Sequence, residues 1–233
     1  MKTFDAAGDD NFFRRLLINK DGQPMKLVIF GGTGQTGRLL VERAVFAGHE
    51  VTVFARDPAR ASARRESVRL VLGDVLDAAS LPPAVVGQEA VLVALGTATR
   101  GSPPVLPQGL RHILDTMEAH GVRRIIVLSA AGALHEPAGS VVGSLGLRVA
   151  RSLLPGVYRE HRAMLEVLRT SDLDWIAVRP VILTNGPWTG RYRAVVEGIP
   201  RRGYRISRAD VADFMLRQLT SDQFVRKMPA IAA

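Results

Sequence analysis

A glycine-rich turn joins the first apolar run of the sequence to the first segment with helical periodicity. Residues 31–37 read GGTGQTG, a G-x-x-G-x-x-G pattern. Met25–Gly31 before it is a continuous apolar run of strand length, and Gly34–Gly48 after it has helical spacing and a glycine at its end. A strand–turn–helix junction of this kind restricts the chain to folds that place such a junction near their start.

The alternation of apolar runs and helical segments continues along the chain. Further strands are predicted at Glu50–Ala55, Val68–Leu72, Ala90–Leu95, Arg124–Leu128, Leu173–Arg179 and Tyr204–Ile206. Helices are predicted at Pro58–Arg65, Asp77–Gly87, Pro107–His120, Tyr158–Arg169 and Ser207–Leu219. Nearly continuous apolar strands that alternate with helices are typical of a parallel sheet covered on both faces. The predicted fold is therefore α/β, a doubly wound (Rossmann) parallel sheet in a single domain.

Two segments depart from this regular pattern inside the predicted domain, residues 25–233. Residues 130–156 are rich in glycine and predict loops and short helices, while residues 185–205 predict a long loop. We expect these loops to form the substrate side, with apolar area from Val141, Val142, Leu145, Leu147, Trp188 and Tyr192. Residues 1–24 form an extension that does not resemble a secretory leader, so the predicted location is cytoplasmic.

Composition excludes several kinds of chemistry. The chain of 233 residues contains no cysteine, which excludes disulfides, cysteine-based metal sites and thiol nucleophiles, and no metal site is predicted. Its 31 Lys and Arg against 22 Asp and Glu give a net charge of +9. This charge indicates either a basic surface or attraction of an anionic ligand such as a cofactor phosphate. No nucleic-acid-binding motif accompanies it, and neither nucleic acid nor membrane is a predicted partner.

The glycines of the turn have separate expected roles in binding a dinucleotide. Gly31 permits the tight turn, Gly34 lets the backbone approach a pyrophosphate, and Gly37 allows the helix to pack closely on the strand. The anion would then meet free N–H groups at a helix N-terminus. The full set of candidate cofactor-binding residues is Gly31, Thr33, Gly34, Gln35, Thr36, Gly37, Arg56, Arg60, Asp74, Val75, Leu95, Gly96, Thr97 and Ser129.

The end of the second predicted strand indicates which dinucleotide is bound. An NAD site usually has an acidic residue there, whereas this chain has Arg56, with Arg60 one helical turn later. A guanidinium would pair with a 2′-phosphate, so the sequence favours NADP(H), with NAD(H) as the lesser alternative. Asp74 follows the third strand and is a candidate acceptor for the adenine amino group or a helix N-cap.

The sequence of residues 26–58 resembles the atypical short-chain dehydrogenases. The similarity is greatest to the flavin reductase/biliverdin-IXβ reductase group and to NAD(P)H-binding relatives of nitrogen-metabolite-repressor-like proteins. It extends over residues 25–222 through GDVLD (73–77), VLVALGT (91–97), HGVRRIIVLSA (120–130), VLRTSDLDWIAVRP (167–180), LTNGPWTGRYR (183–193) and ISRADVADFMLRQL (206–219). The pattern RP…LT-x-G-P-x-T-G at 179–190 and the segment ISRADVA at 206–212 are the more specific to this group.

The resemblance implies three candidate catalytic residues, Ser129, Tyr158 and His161. Ser129 ends the fifth strand, where the family places a serine facing the nicotinamide. Tyr158 begins a Tyr-x-x-x-Arg pattern in which Arg162 replaces the usual lysine. His161 matches a pocket histidine of the bilin and flavin reductases, whereas the second such histidine is absent after Pro180. Ser129 could instead cap a turn, Tyr158 could be a packing residue, and His161 could lie at the surface.

Three functions are consistent with these residues. The first is an NADPH-dependent reductase of a small conjugated or carbonyl substrate such as a flavin, quinone or enone. The second is a non-catalytic sensor of NADP(H) that binds a regulatory partner, and the third is an isomerase or cyclase on the same fold. We expect the protein to be a monomer or a homodimer.

Overall fold

A computed structural model of the chain describes residues 23–58, 68–97, 104–134, 141–201 and 203–233, with the side chains of residues 141–145 and 147 excluded. Its strands are β1 (Lys26–Phe30), β2 (Glu50–Ala55), β3 (Val68–Leu72), β4 (Ala90–Val93), β5 (Arg124–Leu128), β6 (Asp174–Pro180), β7 (Ile182–Thr184), β8 (Arg193–Val195), β9 (Arg205–Ser207) and β10 (Ala230–Ala232). Its helices are α1 (Gln35–Phe46), α2 (Pro82–Val85), α3 (Leu106–Ala119), α4 (Val141–Leu153), α5 (Pro155–Arg169) and α6 (Arg208–Arg217).

The main sheet confirms the predicted doubly wound α/β fold. Its eight strands lie in the order β3-β2-β1-β4-β5-β6-β10-β8, and all neighbours are parallel except β10 and β8. The chain moves from β1 toward β3 and then returns past β1 to β4. This reversal leaves a crevice between the carboxyl ends of β1 and β4, where ligands bind in open α/β sheets.

Alternation along β1 builds two cores, one on each face of the sheet. Leu27 and Ile29 are buried with α1 and α6, whereas Val28 and Phe30 are buried with α3 and α5. Successive side chains of a strand point to opposite faces, so a strand buried on both sides reads as an uninterrupted apolar run. The crevice is thus supported by a rigid, fully packed strand.

The first correction concerns residues 130–156, for which we predicted loops and short helices. Residues 141–153 form one continuous helix, α4, and Pro155 starts the next helix, α5, three residues before the predicted start at Tyr158. The glycines argued against a long helix. The last turn of α4 is held by Arg151, which donates hydrogen bonds to the carbonyls of Gly132 and Leu134, a long-range contact invisible to local propensity.

Smaller corrections concern short elements. The predicted helix Asp77–Gly87 is a 3₁₀ turn at Ala78–Ser80 followed by the single-turn helix α2, which Pro82 begins. The sequence did not predict β10 or β8, since three residues carry no detectable period. Both form because β10 completes the open edge of β6 and β8 then pairs with β10. No helix in the described ranges is long and apolar enough to cross a membrane.

Candidate active site

A groove opens at the crevice between the carboxyl ends of β1, β2 and β4. Nine of the sequence-predicted cofactor residues line it, namely Gly31, Thr33, Gly34, Arg56, Asp74, Val75, Leu95, Gly96 and Thr97. Phe54, Ala55, Ala94 and Val105 also line it and were not predicted. They follow from topology, since each of them ends a strand or precedes a helix at this edge of the sheet. Arg60 lies outside the described residues.

Two glycines of the turn lie so close to other backbone atoms that no side chain would fit at their positions. Gly31 has a φ of +79°, in the left-handed region that favours glycine. A Cβ on Gly31 would lie 2.4 Å from the carbonyl oxygen of Ala94, and one on Gly37 would lie 2.0 Å from the carbonyl oxygen of Gly31. These distances agree with the roles expected for the two glycines, a tight turn and a close approach of α1 to β1.

The start of α1 is suited to an anion. Gly34 is its N-cap residue, makes no side-chain capping hydrogen bond, and is followed by no acidic residue in the first turn. A Cβ on Gly34 would meet no protein atom closer than 3.4 Å, so packing of the protein does not require a glycine here. The glycine instead leaves room for a ligand next to the backbone. Amides left without a cap at a helix N-terminus can bind a pyrophosphate. The residues present therefore fit a dinucleotide cofactor.

Three further predicted residues of the turn do not line the groove. Gln35 is exposed in the first turn of α1, whereas Thr36 and Gly37 are buried beneath it. Gly37 acts through packing, as described above. Backbone N–H groups of this turn remain candidates for the phosphates because helical N–H groups point toward the N-terminus.

Two residues predicted to contact the adenosine end of a cofactor, Arg56 and Asp74, line the groove. Arg56 follows β2 directly, is exposed, and is one of the residues that line the groove. Asp74 accepts a hydrogen bond from the amide of Leu76 at 3.0 Å in a tight turn, whereas the N-cap of the 3₁₀ turn that follows is Asp77, not Asp74 as the sequence suggested. This bond uses one carboxylate oxygen and is compatible with a second role toward an adenine.

Ser129 and His161 form a buried pair at the end of β5. The Ser129 hydroxyl lies 3.4 Å from Nδ1 of His161, and both residues are at least nine-tenths buried. Burial lowers the pKa of His161 from 6.5 to about 4, because charging an imidazole away from water is unfavourable. His161 is therefore neutral near pH 7 and can donate or accept a hydrogen bond, but it is not a charged acid.

Tyr158 and Arg162 both lie on α5, at positions that are partly buried. Burial raises the pKa of the half-buried Tyr158, and the nearby positive charge of Arg151 only partly opposes this. Arg162 donates a hydrogen bond to the carbonyl of Ala133 at 3.2 Å.

The segment 183–193 is fixed to α6 by hydrogen bonds to buried carboxylates. Asp210 accepts from the amides of Thr189 and Gly190 at 2.8 and 2.9 Å and from the Thr189 hydroxyl at 2.9 Å. The Tyr192 hydroxyl donates to Asp213 at 2.6 Å. The two segments most specific to the family resemblance are thus the two sides of one contact.

Two residues expected to supply apolar substrate area lie against helices instead. The guanidinium carbon of Arg43 on α1 lies 5.5 Å from the ring centroid of Trp188. Tyr192 packs edge-on against Phe214 of α6, with ring centroids 5.6 Å apart. Both rings serve to attach the loop to the protein body. The side chains of Val141, Val142, Leu145 and Leu147 lie outside the described residues, and no group of three or more metal-ligating side chains occurs among those described.

Lowering the pH should destabilise the protein through His161. The unfolded imidazole takes up a proton near pH 6.5, whereas the folded one remains neutral down to about pH 4. The unfolded state thus binds more protons in this interval, so the free energy of unfolding falls as the pH drops, by about 3 kcal/mol in all. We expect urea denaturation of His161→Asn to lack this part of the pH dependence. The same pH dependence of the free energy of unfolding in the natural protein and in His161→Asn would contradict this prediction.

Comparisons with known proteins agree with this geometry. A family described as NAD(P)H-binding matches residues 31–222. A 3-diazoavenalumate denitrifying reductase from a Streptomyces species is 30% identical over 188 residues, covering 72% of this chain and 59% of its own. Among the first curated relatives, the share of the relative's length that is covered ranges from 38% to 76%.

Solved structures show the same fold. A short-chain dehydrogenase/reductase from Veillonella parvula in complex with NADP matches with a TM-score of 0.76 and 22% identity, covering 91% of this chain and 95% of that one. The anaerobilin reductase ChuY from Escherichia coli O157:H7 matches with a TM-score of 0.73 and 22% identity, covering 88% and 96%. At these identities the likeness shows the fold alone. The family match, which spans most of the chain and agrees with the fold and the groove, shows that the chain belongs to the NAD(P)H-binding family.

Proposed function

We propose that this protein is an NADPH-dependent reductase that transfers hydride to a small conjugated or carbonyl acceptor such as a flavin, a quinone or an enone. The observation that carries the proposal is the placement of the Ser129–His161 pair at the end of β5, on the same edge of the sheet as the glycine-lined groove. A cofactor in the groove would extend along this edge from β2 toward β5. The relatives and structural neighbours include reductases, and this supports the same class of reaction here.

The choice of NADPH over NADH rests on Arg56. Arg56 is exposed and lines the groove where β2 ends, and in this fold that position faces the adenosine ribose. An exposed guanidinium here gains a charge-assisted pair from a 2′-phosphate and little from a 2′-hydroxyl. Among the described residues that line the groove, the one that directly follows β2 is Arg56, and the acidic residue of the lining, Asp74, follows β3.

Replacing Arg56 by alanine is expected to weaken NADPH binding about tenfold to a hundredfold, since hydrogen bonds to charged groups contribute about 1.5–3 kcal/mol. NADH binding should hardly change, because NADH has no phosphate at that position. Fluorescence titration of both cofactors measures the two dissociation constants. Arg123→Ala is the matched control, because Arg123 is exposed next to β5 at the opposite edge of the sheet. Equal losses for the two cofactors would contradict the assignment.

The chemistry requires little acid–base machinery from the protein. NADPH supplies a hydride and becomes NADP⁺, and the acceptor takes the hydride and one proton, a two-electron reduction. Ser129 and the neutral His161 can orient an acceptor oxygen by hydrogen bonding. Because burial lowers the pKa of His161 to about 4, its imidazole is not a cationic acid near pH 7, and solvent can supply the proton.

The test is NADPH oxidation with a panel of quinones, flavins, bilins and enones, with Ser129→Ala measured beside the natural protein. We expect turnover with at least one acceptor class, and a loss of kcat in the variant that is larger than any change in its NADPH affinity. Tight NADPH binding with no turnover across the panel would overturn the reductase and favour a sensor of NADP(H). Product formation without net NADPH consumption would instead indicate an isomerase or cyclase.

A further inference from the structure

Three consecutive residues of α5 contact three different parts of the proposed site. Glu160 contacts the start of α3, His161 contacts Ser129, and Arg162 contacts the turn that follows β5. Successive residues of a helix are about 100° apart around its axis, so neighbours in sequence face different surroundings. None of the three contacts is predicted by the helical pattern of the segment.

Glu160 fixes the cofactor side. Its Oε2 accepts hydrogen bonds from the amides of Val105 and Leu106, at 3.1 and 3.4 Å. The N-cap residue of α3, Val105, offers no side-chain cap of its own, so Glu160 supplies one from 55 residues away. Val105 is also part of the groove lining. A carboxylate at a helix N-terminus is stabilising for both electrostatic and hydrogen-bonding reasons.

The body of α3, like its N-terminal start, contacts a residue that lines the groove. Nδ1 of His112 lies 2.9 Å from the carbonyl oxygen of Val75, a second groove residue. A Cβ on Gly109 would lie 2.9 Å from the Val75 side chain, so α3 and Val75 are in close contact. A displacement of α3 would therefore change the groove at both Val105 and Val75.

Arg162 fixes the acceptor side together with Arg151. Arg151 donates to the carbonyls of Gly132 and Leu134 at 2.9 and 2.7 Å, and Arg162 donates to the carbonyl between them, Ala133, at 3.2 Å. Three successive carbonyls are thus held by two guanidinium groups. The turn they form begins directly after Ser129, so its position limits where the Ser129 hydroxyl and the His161 ring can lie.

We propose that Glu160 and Arg162 are positioning residues, with Glu160 fixing the cofactor side of the site and Arg162 fixing the acceptor side around Ser129 and His161. The role of Arg162 in turnover rests on the proposed reductase function, whereas both positioning roles can be measured without turnover. Arg162 thus has a different role from the lysine that it replaces.

The experiment measures two properties in the same set of variants. The first is the dissociation constant of NADPH by fluorescence titration, and the second is the titration midpoint of the His161 ring protons by NMR. Glu160→Ala is expected to weaken NADPH binding about tenfold and Glu160→Gln about threefold, since the amide keeps an acceptor oxygen. Arg162→Met is expected to leave NADPH binding unchanged and to move the His161 midpoint from about 4 toward 6.5, as the ring gains access to water.

Matched controls come from the exposed face of the same helix. Glu166→Ala and Arg159→Met make the same chemical changes at exposed positions of α5 and should alter neither property. In Arg162→Lys the titration midpoint of His161 should lie closer to its natural value than in Arg162→Met, because an ammonium group can still donate to the Ala133 carbonyl. If turnover is found, Arg162→Met should lower kcat/KM for the acceptor roughly tenfold.

The outcomes separate this proposal from the proposed function. Natural NADPH affinity in both Glu160 variants, or an unchanged His161 midpoint in Arg162→Met, overturns the proposal whether or not the protein turns over any acceptor. Equal changes of both properties in Glu160→Ala and Arg162→Met would indicate general loosening of α5, and would overturn it too. Absence of turnover with the expected shifts leaves the positioning roles established and refutes only the reductase.

Discussion

Alanine at position 37 is expected to reduce NADPH affinity at least about a hundredfold and to destabilise the protein by about 3 kcal/mol. The new Cβ would lie 2.0 Å from the Gly31 carbonyl oxygen, 2.8 Å from its carbon and 2.9 Å from the Gly32 Cα. All three are backbone atoms, so no flexible side chain can move aside. α1 must therefore shift away from the end of β1, and with it the amides that would bind the pyrophosphate. Urea denaturation and fluorescence titration measure the two effects.

Two glycine controls show whether the effect belongs to protein packing or to the ligand. In Gly34→Ala the Cβ meets nothing closer than 3.4 Å, so we expect natural stability with a loss of NADPH binding only. In Gly156→Ala the Cβ meets no atom within 4 Å, and both properties should stay unchanged. Natural NADPH affinity in Gly37→Ala would mean that the groove at the glycine turn is not the cofactor site.

Removal of the Asp210 carboxylate should cost about 3–5 kcal/mol of unfolding free energy. Asp210 is 1% exposed and accepts from two amides and a hydroxyl of the segment Thr189–Gly190, as well as from the Ser207 hydroxyl at 2.9 Å. Alanine leaves these donors without their acceptor inside the protein. Asparagine keeps one acceptor oxygen and should lose about half as much, a difference that chemical denaturation resolves.

The exposed Asp115 of α3 provides the control for Asp210. Asp115→Ala should change the free energy of unfolding by no more than about 0.5 kcal/mol, as is usual for exposed positions. An Asp210→Ala protein as stable as this control would show that the segment 183–193 does not depend on α6. The co-occurrence of the two family-specific segments would then need another explanation.

Much of the fold and of the cofactor groove could be predicted from residues 25–128. The apolar runs are long, Gly31 and Gly37 are required by the backbone of the turn, and strand ends in a parallel sheet meet at one edge. Nine predicted residues accordingly line the groove. The prediction was weaker beyond Ser129, where α4 forms despite its glycines and β10 and β8 are three residues each. Those elements depend on partners that are distant in sequence.

The glycine turn, the alternating strands and Arg56 are local features, and the sequence by itself determined from them a doubly wound sheet with a dinucleotide groove. The roles of Glu160, Arg162 and Asp210 were decided only by the tertiary structure, because each acts on backbone groups at least 20 positions away along the chain. The same holds for His161, whose lowered pKa follows from burial rather than from its neighbours in sequence. Hydrogen bonds and burial of this kind exist only once the helices have packed, and no periodicity along the chain encodes them.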